Sequence, residues 1–200
     1  MNILLINYTT SPEKVIVDGM IVTRGMLGEP VDITKDKKRF LALAKRGHWT
    51  PFEHASFTFL IQGVSRVTQQ QLTRHRMASF SIESQRHVRV DPMVELVVPP
   101  SIDKYGAGTA WNDAVQAIYA AYEKMIAAGV PLEDARYILP EAITGSILMT
   151  MNARELYHFF KLRTAPDAQW EIRELAKQIF NILHDTWPNI FNLEILECAE

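Results

Sequence analysis

The run Thr109–Ala128 constrains the fold most. Val115, Ile118, Tyr119, Tyr122, Met125 and Ile126 recur at i, i+3 and i+4, the spacing of one helix face, and Gly129 stops the pattern. A helix of that length extends about 30 Å and must bury its apolar stripe. The first half of the chain supplies strands. Asn2–Tyr8 reads as a buried first strand, Ala55–Ile61 alternates before turning apolar, and Val94–Val98 precedes Pro99-Pro100. Ser11 as N-cap and Pro12 at the first helical position predict a helix toward about Arg24. Asp32–Arg46 predicts another, with Phe40, Leu41, Leu43 and Ala44 on one side and Gly47 just past its end. Val64–Arg76 has helical spacing that leaves Arg74, His75 and Arg76 on the last turn or just beyond it. Pro131 opens a short helix closed by Pro140, and Thr144–Met151 is a strand or an extended connection. Asn152–Leu162 and Asp167–Trp187 are further helices separated at Ala165-Pro166, with Phe159, Phe160, Leu162 and Trp170 expected in the core. Helix with a minority of strands is an α+β class, expected as a single domain over residues 1–200.

The charge balance narrows the partners. A formal net charge of −2 argues against general affinity for nucleic acid or an anionic membrane. No apolar run approaches the roughly 18 residues of a membrane span, and Met1–Tyr8 is too short for a signal segment. A lone cysteine, Cys198, allows neither an intrachain disulfide nor a cysteine-based zinc site, so a reducing cytoplasm is the expected location.

Against that neutral background, Thr73–His87 concentrates Arg74, His75, Arg76, Arg86 and His87 with Ser79, Ser81, Glu83 and Ser84. Arginine forks match the oxygens of a phosphate or pyrophosphate, and hydroxyls complete such a cage. The plain alternative is a solvated loop or a subunit salt-bridge network. Asn152 falls at the predicted start of a helix, where free backbone N–H groups suit an anion. Arg154 and His158 share a face of that helix, four residues apart. Arg136 lies beside Glu133 and Asp134, which could simply pair with it. His48 and His54, with Glu53 between them, have the residue types of a metal site. Pro51 interrupts any helix presenting both imidazoles, so a rigid turn entering a strand is the reading and no metal is expected.

Four segments in order resemble the flavin-dependent thymidylate synthase family. The most specific is Arg74-His75-Arg76, seven residues, then Ser84. The others are Gly47-His48-Trp49-Thr50-Pro51-Phe52-Glu53-His54, Gly129–Pro140 with its Gly-Val-Pro, Ala-Arg and Leu-Pro pairs, and Asn152-Ala153-Arg154 through Leu162-Arg163 to Arg173. The match covers about residues 45–175.

The resemblance implies a central mixed or antiparallel sheet flanked by helices, and a homotetramer with FAD at subunit interfaces. It also implies methylation of dUMP with methylenetetrahydrofolate as carbon donor and NADPH as reductant of the flavin, with no enzyme thiolate attacking the pyrimidine. Carried over residue by residue, Gln71, Leu72, Thr73, Arg74, Ile82, Glu83, Ser84, Gln85, Arg86 and Arg136 match dUMP-site positions. Arg163 matches both a dUMP ligand and the catalytic arginine that stabilises ionisation at uracil N3. His48, Thr50, Glu53, Arg74, His75, Arg76, Ser81, Asn152, Arg154 and His158 match flavin positions. Four features depart from the family pattern: His87 in place of a tyrosine, Asp167 in place of a basic residue or histidine, Gly19–Gly25 in place of an Ala-Ala-Arg segment, and Thr144-Gly145-Ser146. They keep two alternatives open: a flavin- and folate-dependent nucleotide hydroxymethylase, and a catalytically silent nucleotide- or flavin-binding homologue.

Overall fold

A computed structural model describes residues 1–25, 36–90 and 96–199. Among these, β1 (Asn2–Tyr8), β2 (Ser56–Ser65), β3 (Ala78–Ile82) and β4 (Thr144–Asn152) form one sheet in the order β1-β2-β4-β3. The register follows from paired residues. Thr9 N donates to Ser56 O while Asn2 Nδ2 reaches Gln62 Oε1, so β1 and β2 run antiparallel. Thr58 and Thr150 hydroxyls meet at 3.0 Å, and Arg66 N donates to Ile143 O at 3.2 Å, so β2 and β4 do too. Period-two alternation explains why these two strands are central: Phe57, Phe59 and Ile61 on β2, and Ile147, Met149 and Met151 on β4, are all buried. The α+β class and its antiparallel sheet thus agree with the sequence expectation.

The helices are α1 (Pro12–Val22), α2 (Asp36–Lys45), α3 (Arg66–Leu72), α4 (Pro100–Lys104), α5 (Gly108–Ala127), α6 (Leu132–Ala135), α7 (Ala153–Arg163), α8 (Trp170–Thr186) and α9 (Leu193–Leu196), with 3₁₀ turns at Thr50–His54 and Arg136–Ile138. Helix α3 starts where the Ser65 hydroxyl accepts the Thr68 N–H, and α7 where Asn152 Oδ1 accepts the Glu155 N–H at 2.9 Å. Gly47 and Gly129, both at positive φ, end α2 and α5 as the sequence predicts.

Chain contacts divide the described residues into two compact units. The first comprises residues 1–2, 61–70 and 81–147. Its core is the α5 stripe: Tyr119 and Tyr122 buried with Val90, Ala135 and Ile143, and Val115, Met125 and Ile126 packed against them. The second comprises residues 3–60, 71–80 and 148–200. Its core is a chain of rings, Phe40, Phe52, Tyr157, Phe191 and Phe57, each within 6.3 Å of the next. Helix α8 closes it with Ile172, Leu175, Ala176, Ile179 and Leu183. Each fully buried aromatic contributes about 1.5–3 kcal/mol relative to exposure.

Several expectations need correction. Strand β1 is not buried: it is the sheet's edge, and Leu4, Ile6 and Tyr8 are about half exposed. Ser11 sits before α1 but at φ 50°, and its side chain caps nothing. Leu162 faces solvent while Phe159 and Phe160 are buried, because helical rotation carries position 162 off the core face. Strand β3 was not predicted. Residues 32–35 of the expected second helix and 94–95 of the expected third strand lie outside the described residues; within the latter, Leu96 forms an isolated bridge with Ile143.

Candidate functional site

The second unit contains a buried polar chain. Helix α3 ends at Leu72, and a tight turn (Arg74 N to Gln71 O, His75 N to Leu72 O) sends consecutive side chains in opposite senses. His75 turns inward and is 3% exposed, whereas Arg74 and Arg76 stay at the surface. Inside, His75 Nδ1 lies 3.1 Å from Glu155 Oε1, and its Nε2 accepts from Arg163 Nε at 3.1 Å. Arg163 also donates from Nη2 to the Gln71 carbonyl at 3.3 Å. A guanidinium has donors only, so Nε2 must be the acceptor and the imidazole proton belongs on Nδ1, facing the carboxylate.

Helix α7 makes this chain possible. Glu155, Phe159 and Arg163 are spaced four apart and share one face. Phe159 meets the His75 ring edge-on at 5.1 Å. Partial burial pushes the Arg163 guanidinium below its ordinary value, because desolvation disfavours the charged form. Two of its five N–H donors are engaged; the other three find no partner among the described residues.

Glu155 also lines a cavity of about 410 Å³, with Glu53, Asn152, Arg154, His158, Trp49 and Tyr157 among its other walls. Its volume is in the range of ligand pockets, about 300–1,000 Å³. Arg154 and His158 both line it, as their four-residue spacing predicts. Arg154 Nη1 is paired with Glu53 Oε1, and Asn152 Oδ1 is occupied by its capping bond. The Arg74 and Arg76 guanidinium groups, by contrast, meet no side-chain partner among the described residues, leaving two forks for an anionic ligand. Burial and the surrounding apolar wall raise the Tyr157 hydroxyl well above the phenol range, and that hydroxyl donates to the Ile190 carbonyl.

Thr50 lies elsewhere in this unit, in a second cavity of about 480 Å³ between α1 and the 3₁₀ turn, with Gly19, Pro51 and His54. A Cβ on Gly19 would come within 3.3 Å of His54 and 3.4 Å of Pro51, so glycine is what lets α1 approach the turn. His48 is exposed just before it. Leu72 is wholly buried as core, and Thr73 is exposed.

The first unit holds the remaining candidates. Glu83 is locked to β4: its N–H donates to Ser146 O at 3.0 Å and its Oε2 accepts from Ser146 N at 3.1 Å. Gln85 Oε1 accepts from Arg66 Nη1 at 3.0 Å. Glu83, Gln85 and Arg66 line a cavity of about 220 Å³ with Arg89 and Gly145. Ser84 Oγ accepts the Arg86 N–H, and Arg86 Nε pairs with Glu133 Oε2 at 3.0 Å. Arg136 Nε donates to the Glu133 backbone carbonyl, so Arg86 and Arg136 both meet Glu133. Ser81 and Ile82 are exposed on β3. The flavin candidates therefore fall in the second unit except Ser81, while Ile82, Glu83, Ser84, Gln85, Arg86 and Arg136 fall in the first and Gln71, Leu72, Thr73, Arg74 and Arg163 in the second.

Of the four departures, His87 is exposed with its N–H on Ser84 O, and Asp167 is exposed in the α7–α8 loop. The residue that sequence reasoning missed is Glu155. Its signal was the four-residue ladder to Phe159 and Arg163, hidden because a first-turn glutamate ordinarily reads as a solvated partner of the helix dipole.

A buried carboxylate–imidazole–guanidinium chain, two arginine forks without side-chain partners among the described residues and an aromatic-walled cavity make up the candidate enzyme site. The chain belongs to the flavin-dependent thymidylate synthase family. The family model described as thymidylate synthase complementing protein matches residues 4–189. A flavin-dependent thymidylate synthase of Sulfurisphaera tokodaii is 39% identical over 197 residues, covering 96% of this chain and 76% of that protein. One from Geobacter sulfurreducens is 40% identical over 202 residues, covering 96% and 85%. Among solved structures, the UMP/dUMP methylase PolB from Streptomyces cacaoi, bound with 5-Br dUMP, superposes with a TM-score of 0.81 at 25% identity, covering 98% of this chain and 93% of that one.

Proposed function

We propose that this protein is a thymidylate synthase that methylates dUMP to dTMP, with methylenetetrahydrofolate as carbon donor and NADPH as reductant of bound FAD. The observation that carries the reading is Arg163, held at one edge by His75 and Gln71 with three N–H donors left over. Such a group stabilises negative charge developing on a pyrimidine as N3 ionises, because it is preorganised and partly desolvated. The dUMP analogue in the PolB structure and the names of the relatives support the choice of substrate.

The donor set suits a flavin nucleotide. Arg74 and Arg76 offer unpaired forks for phosphate, and the cavity pairs Trp49 and Tyr157 with the polar Asn152, Arg154 and His158. Held by these residues, reduced FAD would supply the hydride that the new methyl group requires. Arg86 and Arg136 would bind the dUMP phosphate after exchanging Glu133 for it. Cys198, whose Sγ donates to Glu194 O, takes no part as a nucleophile. His48, Thr50, Glu53, His75 and Ser81 complete the flavin set; Gln71, Leu72, Thr73, Ile82, Glu83, Ser84 and Gln85 complete the dUMP set. The active unit in this reading is a homotetramer of one-domain chains, working in the cytoplasm.

The test is mass spectrometry of the nucleotide product after incubation with FAD, NADPH, methylenetetrahydrofolate and an equal mixture of dUMP and dCMP. A methyl-sized gain on dUMP alone is the expected result. A hydroxymethyl-sized gain, a change on dCMP, or no change with flavin bound would overturn the reading.

A further inference from the structure

Glu155 is an acidic side chain in an expensive place: 8% exposed, opposite a histidine that is 3% exposed. Burying a carboxylate costs several kcal/mol unless hydrogen bonds offset it. Neither residue is needed to start α7, since Asn152 caps that helix through the Glu155 backbone N–H and not through its carboxylate. What the carboxylate does touch is His75 Nδ1, and what His75 touches on its far side is Arg163.

We propose that Glu155 is a positioning residue for Arg163: by accepting the His75 Nδ1–H it fixes the tautomer whose Nε2 can hold Arg163 Nε, and so fixes how the guanidinium is presented. This rests on the thymidylate synthase reading of Arg163. The logic is that of a carboxylate orienting an imidazole that in turn holds a reacting group. The alternative tautomer would place an N–H against the Arg163 Nε–H, two donors face to face, and the arginine would lose that tether. Phe159 keeps the ring from turning away, since it abuts the imidazole edge-on from the intervening helical turn.

The test uses the flavin-loaded protein with Glu155→Leu and Glu155→Gln. Leucine fills the space without an acceptor. Glutamine keeps an acceptor oxygen for Nδ1–H without the charge. Nitrogen-15 spectra of the histidine rings should show the proton on His75 Nδ1 in the wild type and in Glu155→Gln, with the Nε2–H form emerging in Glu155→Leu. The Arg163 Nε–H resonance should shift in Glu155→Leu only. Turnover of Glu155→Leu should fall about 10- to 100-fold, the usual effect of losing such an orienting partner. That loss should be read in kcat at saturating FAD and dUMP, and Glu155→Gln should stay within about fivefold of the wild-type kcat. A merely structural role would instead lower Tm and kcat together in Glu155→Leu with the proton still on His75 Nδ1 and the Arg163 resonance unmoved, and that result overturns the proposal. So do a wild-type proton on Nε2, an unchanged kcat in Glu155→Leu, or equal impairment of both variants. If the wild type itself makes no dTMP, the thymidylate synthase reading fails separately. The Arg163 resonance then decides whether Glu155 governs the arginine.

Discussion

Replacing Arg163 with alanine separates what this side chain does for the fold from what it does for the reaction. On the fold side, truncation removes the donor to His75 Nε2 and one donor to the Gln71 carbonyl. An acceptor left unpaired in a buried place costs about 1–3 kcal/mol. For a chain of this size that lowers Tm by about 2–4 °C for each kcal/mol, so a fall of about 2–12 °C is expected. On the reaction side, loss of one preorganised charge-stabilising donor costs about 10²–10³ in kcat. The cavity with Trp49, Asn152 and Arg154 does not include Arg163, so flavin binding should persist. The assay is steady-state dTMP formation at saturating dUMP, with the flavin absorbance spectrum and a thermal melt on the same sample. Arg163→Lys should recover part of the stability and little of the turnover. An ammonium can meet His75 or the pyrimidine, but not both with a fork. Turnover of Arg163→Ala within about threefold of wild type, with the expected loss of Tm, would remove the arginine from the mechanism.

Glu133→Gln should tighten dUMP binding. Freeing Arg86 from an exposed ion pair worth about 0.2–1 kcal/mol predicts a KM lower by about 1.4- to fivefold, and an unchanged or higher KM refutes the exchange. Tyr157→Phe leaves the Ile190 carbonyl and Asn192 N–H without their buried partner, so chemical denaturation should show a loss of about 1–3 kcal/mol at constant m-value. Gly145→Ala should cost about 1–3 kcal/mol, because its Cβ would stand 2.8 Å from Gln69 Nε2, which already reaches the Val64 carbonyl. A melt indistinguishable from wild type would mean Gln69 yields without loss.

Periodicity made the long elements readable. The α5 stripe, the α8 face and the alternation of β2 all carry their burial in the spacing of apolar letters. Strand β1 misled because an edge strand and a buried strand can be spelled with the same apolar residues; only the sheet order distinguishes them. Strand β3 was hidden within a polar run whose arginines and serines drew the functional reading. At the site, the motif Arg74-His75-Arg76 was legible as a set, but its division was not. A turn after α3 decides that His75 goes inward and its neighbours outward, and turn geometry is weakly encoded in those three letters. Glu155 was missed because its partner is 80 residues away, and a helix-terminal acid has an ordinary explanation close at hand.

The diagonal of Glu155, Phe159 and Arg163 along α7 also makes that helix intolerant of changes in length. Each residue advances a helix by about 100°, so a single insertion or deletion between Glu155 and Arg163 would swing one end of the diagonal a quarter-turn away from His75. Substitutions on the solvent side of α7, at positions such as Leu162, leave the diagonal in place. The solvent side of the helix can therefore diverge in composition while its phase stays fixed, and an alignment gap placed inside it would signal lost activity more reliably than replacements on that side.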